Sequence, residues 1–206
     1  MCNNTKMIET ATTAASARRQ QLIQAAIGVF LRYGFARTTM SDIAKAAGLT
    51  RPTLYQTFSD KGMVFRAVVE AMAVEMFATI REGLARQSGL EAKLRFACEA
   101  WGVGGFELVL ANPDAEDMFD LCFEPVKNSY ADFEEILADI VREPLRQTDL
   151  NVEAEELAHI IAFSIKGFKA TARDGAEMRR LIGAQIAVVS AALVPSSVKR
   201  KKTSHG

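Results

Sequence analysis

Histidine is scarce in this 206-residue chain, where only His159 and His205 occur. So few imidazoles assemble no convincing Ser-His-Asp or Cys-His nucleophilic arrangement and no histidine-based metal site. Carboxylate-only chemistry stays open, but the expectation is a protein that is not an enzyme and holds no cofactor or metal. Cysteine is equally thin. Cys2, Cys98 and Cys122 are odd in number and lack a ligand spacing, which points to a reducing, cytoplasmic compartment. Between a redox sensor at Cys98 or Cys122 and a small buried hydrophobe, the hydrophobe is expected. Long apolar runs are missing too, because Glu or Arg interrupts even the rich stretch from Val64 to Ile80, and no membrane-spanning helix is expected. The first 17 residues lack a basic region followed by a continuous apolar one, so no secretory signal is expected.

Net charge is absent overall but unevenly distributed. Residues 1–62 hold eight Lys/Arg against three acids, whereas residues 63–198 hold 13 against 22, and Lys199 to Lys202 form a basic run. A basic amino-terminal module on an acidic body suggests that one end meets a polyanion such as DNA. What remains is an ordinary globular composition, 49% hydrophobic and 24% charged.

No segment sustains period-two alternation, and almost every long one is compatible with helical periodicity, so the fold class is all-α. Ser16 is expected to cap a first helix whose stripe includes Leu22, Ala26, Val29 and Phe30, with Gly34 ending it. Thr39 followed by Asp42 predicts a capped helix to Ala47, Gly48 a turn, and Thr50 the cap of a second short helix to about Phe58. Ser59 is expected to cap a long helix over 60–86. Further helices are predicted at 90–111, 114–123, 125–147, 153–173 and 176–193. The Gly102-Val-Gly-Gly105 segment is not a nucleotide loop, since no strand precedes it; it reads as a loosened helix or a close helix crossing. The domain expectation is a disordered tail at 1–15, a helix-turn-helix at 16–62, a larger helical domain at 63–194 and a basic disordered tail at 195–206.

Residues 38–58, TTMSDIAKAAGLTRPTLYQTF, have what a DNA-reading helix-turn-helix requires. Ile43, Ala44, Ala47, Leu49, Leu54 and Phe58 pack the helices, leaving Arg51, Pro52, Thr53, Tyr55, Gln56 and Thr57 outward at a helix start capped by Thr50. Together with Ser59-Asp60-Lys61, this stretch resembles the signature of TetR-family regulators over about residues 18–62. Thr38-Thr39, Asp42-Ile43-Ala44, Ala47-Gly48, Thr53-Leu54-Tyr55, Phe58 and Lys61 carry the resemblance. Gly62 departs from it, standing where the family often has an acid.

The resemblance implies a three-helix head, a long connecting helix, a ligand domain and a homodimer formed mainly by the last two helices. It also implies that Arg51, Pro52 and Tyr55 face bases while Thr39, Thr53 and Lys61 hold phosphates. The implied partners are a palindromic double-stranded operator and a small-molecule effector, with no membrane. An effector pocket is expected among Met72, Met76, Trp101, Phe119, Cys122, Phe123 and Phe163. The double-sided apolar patterns of the last two helices predict a dimer seam at Ala158, Ile161, Ile165, Ile182, Ile186 and Val189. His159 is expected to be a satisfied surface or interface residue. A helical adaptor that kept the head without sequence reading is the alternative; salt-dependent binding without operator preference would identify it.

Overall fold

The structure is a computed structural model that describes residues 3–194, with side chains from Ala15 onward. Among the described residues there is no strand. The helices are α1 (Asn3–Arg37), α2 (Met40–Ala46), α3 (Arg51–Thr57), α4 (Lys61–Leu84), α5 (Leu90–Ala111), α6 (Glu124–Arg146), α7 (Ala154–Lys169) and α8 (Gly175–Ala192). A 3₁₀ segment, Pro113–Phe119, stands where an α-helix over 114–123 was expected. Apart from the start of α1, the remaining predicted helices match to within a few residues.

Two helix starts differ from the expectations. α1 runs back to Asn3, so Ser16 lies inside the helix and the segment expected to be a disordered tail is helical from Asn3 on. The reason is local: the sequence is rich in alanine and has no Gly or Pro before Gly28. At α4, Asp60 rather than Ser59 accepts the first-turn amide, from Met63 at 2.9 Å, while the Ser59 hydroxyl donates to Asp60. That amide bond holds the Asp60 carboxyl below its usual pKa. Cys2, the basic run and His205 lie outside the described residues.

The chain forms two compact units, and they do not divide at residue 62. One contains the chain up to Ala73 together with Asn112–Val126; the other contains Val74–Ala111 and the chain from Lys127 on. α4 and α6 each contribute to both. The first unit closes over Leu22, Ala26, Phe30, Ile43, Leu54, Val64 and Phe65, all nearly inaccessible. Phe35 joins Phe65 and Phe123 in an aromatic cluster with centroids 4.7 to 4.8 Å apart. Each such buried side chain contributes roughly 1.5–3 kcal/mol relative to exposure.

In the second unit the core is built from Ile80, Leu94, Phe133, Leu137, Ile161, Ile165, Ile182 and Ile186, each fully buried. The glycine-rich segment of α5 proves to be a close crossing. A Cβ at Gly102 would lie 2.8 Å from both Ile165 and Ile182, so only glycine lets α5 lie this near α7 and α8. Cys98 is buried there and its thiol pKa is pushed up by desolvation, as the small-hydrophobe reading requires, whereas Cys122 is exposed and does not fit that reading.

Candidate nucleic-acid interface

The helix-turn-helix is assembled by reciprocal capping. Thr39 N–H donates to the Asp42 carboxylate at 2.9 Å and the Thr39 hydroxyl accepts from Asp42 N–H at 3.2 Å, which fixes where α2 starts. The Thr39 hydroxyl also donates to Asp42 at 2.6 Å, and these bonds lower the Asp42 pKa. At the far end Leu49 N–H reaches back to the Ala44 carbonyl at 2.9 Å, a closure that needs Gly48 at φ 66°. Thr50 then caps α3: its hydroxyl accepts from Thr53 N–H at 3.4 Å and lies 2.8 Å from the Thr53 hydroxyl. Pro52 sits in the first turn, where it removes no helical hydrogen bond.

These caps decide which side chains face solvent. Ile43, Ala44, Leu54 and Phe58 turn inward, while Arg51, Pro52, Tyr55 and Gln56 are exposed. Tyr55 is 43% exposed, far above what an aromatic packed in a core retains. The Arg51 guanidinium lies 5.8 Å above its ring and donates to the Tyr55 hydroxyl at 3.4 Å. A cation, a flat ring and an amide thus stand together at the first turns of one helix. Thr39 and Thr50 are also exposed, and Thr53 is half-buried.

Lys61 is not a free surface cation. Its ammonium donates to the carbonyls of Phe35 at 2.7 Å and Ala36 at 3.3 Å, and it lies 4.3 Å from the centre of the Phe35 ring. Its position in the first turn of α4 therefore ties that helix to the end of α1. The same corner holds a residue that sequence reasoning missed. After Gly34, the amides of Phe35 and Ala36 both donate to the Asp117 carboxylate at 2.8 Å. Gly34 makes this possible with φ 73° and ψ 173°, a conformation essentially reserved for glycine. Arg37 pairs with Asp114 nearby. No local pattern tells which distant carboxylate will cap such a turn.

The predicted dimer residues do not lie where expected, and the predicted effector residues fall in both units. The effector set divides: Met72, Phe119, Cys122 and Phe123 belong to the first unit, Met76, Trp101 and Phe163 to the second. Within its own unit Phe123 packs on Phe35 and Phe65. The dimer set is largely core. Ala158, Ile161, Ile165, Ile182 and Ile186 are fully buried within one chain, and Val189 is half-buried. They fill the crossing of α7 and α8 with α5, and the apolar residues left outward are Ile160 and Val188, 55% and 72% exposed. His159 is a satisfied surface residue, 3.2 Å from Glu134 and stacked near Phe163.

A family model described as "Bacterial regulatory proteins, tetR family" matches residues 22–68, the segment that contains α2, the turn and α3. Over these residues the chain is similar to the TetR family. Among relatives of that kind, the HTH-type transcriptional repressor ComR of Escherichia coli is 25% identical over 197 residues, covering 88% of this chain and 90% of ComR. The HTH-type transcriptional activator FasR of Mycolicibacterium smegmatis is 36% identical, but the match covers 41% of this chain and spans only 38% of FasR. The TetR fold extends well beyond the matched head. A TetR-family regulator from Pectobacterium atrosepticum superposes with a TM-score of 0.67 at 24% identity, covering 89% of this chain and 98% of that one.

Proposed function

We propose that this chain is a homodimeric, sequence-specific transcriptional repressor of the TetR family whose operator binding is changed by a small molecule held in its second unit. The observation that carries the reading is the solvent face of α3. Arg51, Pro52, Tyr55 and Gln56 line the helix start while Leu54 and Phe58 hold the opposite face in the core. Such a face suits a major groove, where arginine pairs with guanine and apolar groups meet thymine methyls. Thr39, Thr50 and Thr53 sit at the amino-terminal ends of α2 and α3, where backbone amides and the helix dipole favour phosphate. Lys61 keeps its bonds to Phe35 and Ala36 and offers its third ammonium hydrogen to a phosphate.

Exposed Ile160 and Val188 on α7 and α8 support pairing of two copies through those helices. Two heads related by a two-fold axis read half-sites about one helical turn, roughly 34–36 Å, apart. An effector acts only if it binds the DNA-competent and DNA-incompetent states with different affinity, and operator must then change effector affinity by the same factor. The proposed place of action is the cytoplasm; no helix among the described residues is long and apolar enough to cross a membrane. Selection of bound sequences from random duplexes tests the core of the reading. The expected product is a palindrome, and enrichment of no sequence would leave only the non-reading adaptor.

A further inference from the structure

Two hydrogen-bond donors close together in the second unit have nothing to donate to among the described residues. The Trp101 indole N–H is buried without a partner. Lys169, the last residue of α7, is half-buried and makes no hydrogen bond or ion pair to any described residue, and the protein packed round its amine desolvates it. The two belong to one cluster, because the Lys169 ammonium lies 5.7 Å from the centre of the Trp101 ring. Gly105 makes room for it: a Cβ there would stand 2.7 Å from the Lys169 nitrogen. A buried donor left unsatisfied costs free energy, and a buried unpaired charge costs more.

The surroundings say what is missing. Phe77 and Phe133 stack against Trp101 at 5.5 and 4.8 Å, Tyr130 meets it at 5.5 Å, and Phe163 extends the cluster beyond Tyr130. The walls are therefore apolar. Three carboxylates of this unit are paired elsewhere, Glu107 with Arg179, Glu177 with Arg173 and Arg180, and Glu134 with His159, and no described carboxylate pairs with Lys169. Aromatic rings alone would suit a cationic ligand, but the ammonium already beside the indole would repel one. Burial pushes the Lys169 pKa down to about 8, which leaves the amine mostly charged at neutral pH and in want of a counterion.

We propose that Lys169 and the Trp101 indole N–H are the anion-recognising end of the effector site, accepting a carboxylate carried on an apolar or aromatic body. The assignment rests on the reading above that this unit senses a small molecule, and it names that molecule's class. The carboxylate accepts from both donors, and its apolar body meets the aromatic side chains around them.

Benzoate, phenylacetate and octanoate are the probes, with benzamide, phenylacetamide and octanamide as uncharged matches, titrated into the full-length protein. Calorimetry and the emission of Trp101, the chain's single tryptophan, report binding. At least one carboxylate should bind saturably and at least tenfold more tightly than its amide. Lys169→Met should lose at least tenfold for that carboxylate and nothing for the amide, while keeping its helical circular dichroism and its DNA affinity. If Lys169→Met is poorly folded, Trp101→Phe followed by calorimetry is the second variant, expected to weaken the carboxylate severalfold. Equal affinity for acid and amide overturns the proposal, as does an unaffected Lys169→Met or the absence of saturable binding by any carboxylate. These failures leave sequence-specific DNA binding standing, whereas loss of the DNA-binding reading would show as no operator selected by a protein that still binds the carboxylate.

Discussion

The two units treat their polar groups in opposite ways. In the first, the caps are closed: Thr39 and Asp42 bond reciprocally, Asp117 takes two amides, Asp60 takes one, and the Lys61 ammonium takes two carbonyls. In the second, Trp101 N–H, the Gln185 carbonyl oxygen and the Ser190 hydroxyl are buried without partners among the described residues, and the desolvated Lys169 amine has no counterion among them. A reading head must present Arg51 and Tyr55 in one fixed geometry, and closed caps supply that. Groups left wanting mark where something from outside the chain completes the structure. For Trp101 and Lys169 that completion is the proposed ligand. Gln185 and Ser190 both lie on α8, the helix that also exposes Val188.

The largest effect expected from breaking this contrast is in the second unit's core. Ile161→Asp or Ile186→Asp buries an unpaired carboxylate and should cost roughly 4 kcal/mol or more, unfolding the unit in denaturant titrations. Ile160→Asp and Val188→Asp should leave that stability within about 0.5 kcal/mol per chain and instead shift sedimentation from dimer to monomer. Next comes Gly34→Ala in the first unit. It forces a left-handed residue whose Cβ meets the Asp114 carbonyl and Asp117, a cost of about 3 kcal/mol measurable by thermal melts.

Lys169 gives a pH signature of similar or smaller size. Its folded pKa lies below the unfolded value, so the charged form is penalised. The penalty is complete below about pH 8 and is relieved as pH rises from there toward 10.5, the pKa of an exposed lysine. Wild-type stability should thus gain up to about 3 kcal/mol relative to Lys169→Met over that window, and Lys169→Met should be the more stable protein at pH 7.

How much of this was legible in the sequence follows from the range of the interactions. The Thr39–Asp42 cap, the Gly48 turn and the Thr50 cap involve residues no more than a few positions apart, and each stands where the pattern put it. The inward residues of the head were legible for the same reason. The Asp117 cap spans 82 residues from Phe35, and nothing near either residue announces it. With the Arg37–Asp114 pair and the packing of Phe123 on Phe35 and Phe65, that long-range contact explains why the head does not end at residue 62 and takes in Asn112–Val126. On α7 and α8 the periodicity revealed apolar residues on more than one face but not which face packs inside. Gly102 on α5 decided that, by drawing Ile165 and Ile182 inward and leaving Ile160 and Val188 outside. Lys169 carries no sequence signal, because a basic residue at a helix end is ordinarily solvated.

Operator affinity measured against salt, for wild type, Arg51→Ala and Tyr55→Ala, on the selected palindrome and on unrelated duplex DNA, tests the central claim most directly. Both variants should melt like wild type, since both side chains are exposed. Arg51→Ala should lose about 1–3 kcal/mol on the palindrome and far less on unrelated DNA, because a base contact carries specificity. Unchanged palindrome affinity in both variants, or equal losses on the two DNAs, would contradict the assignment of α3 as the reading helix.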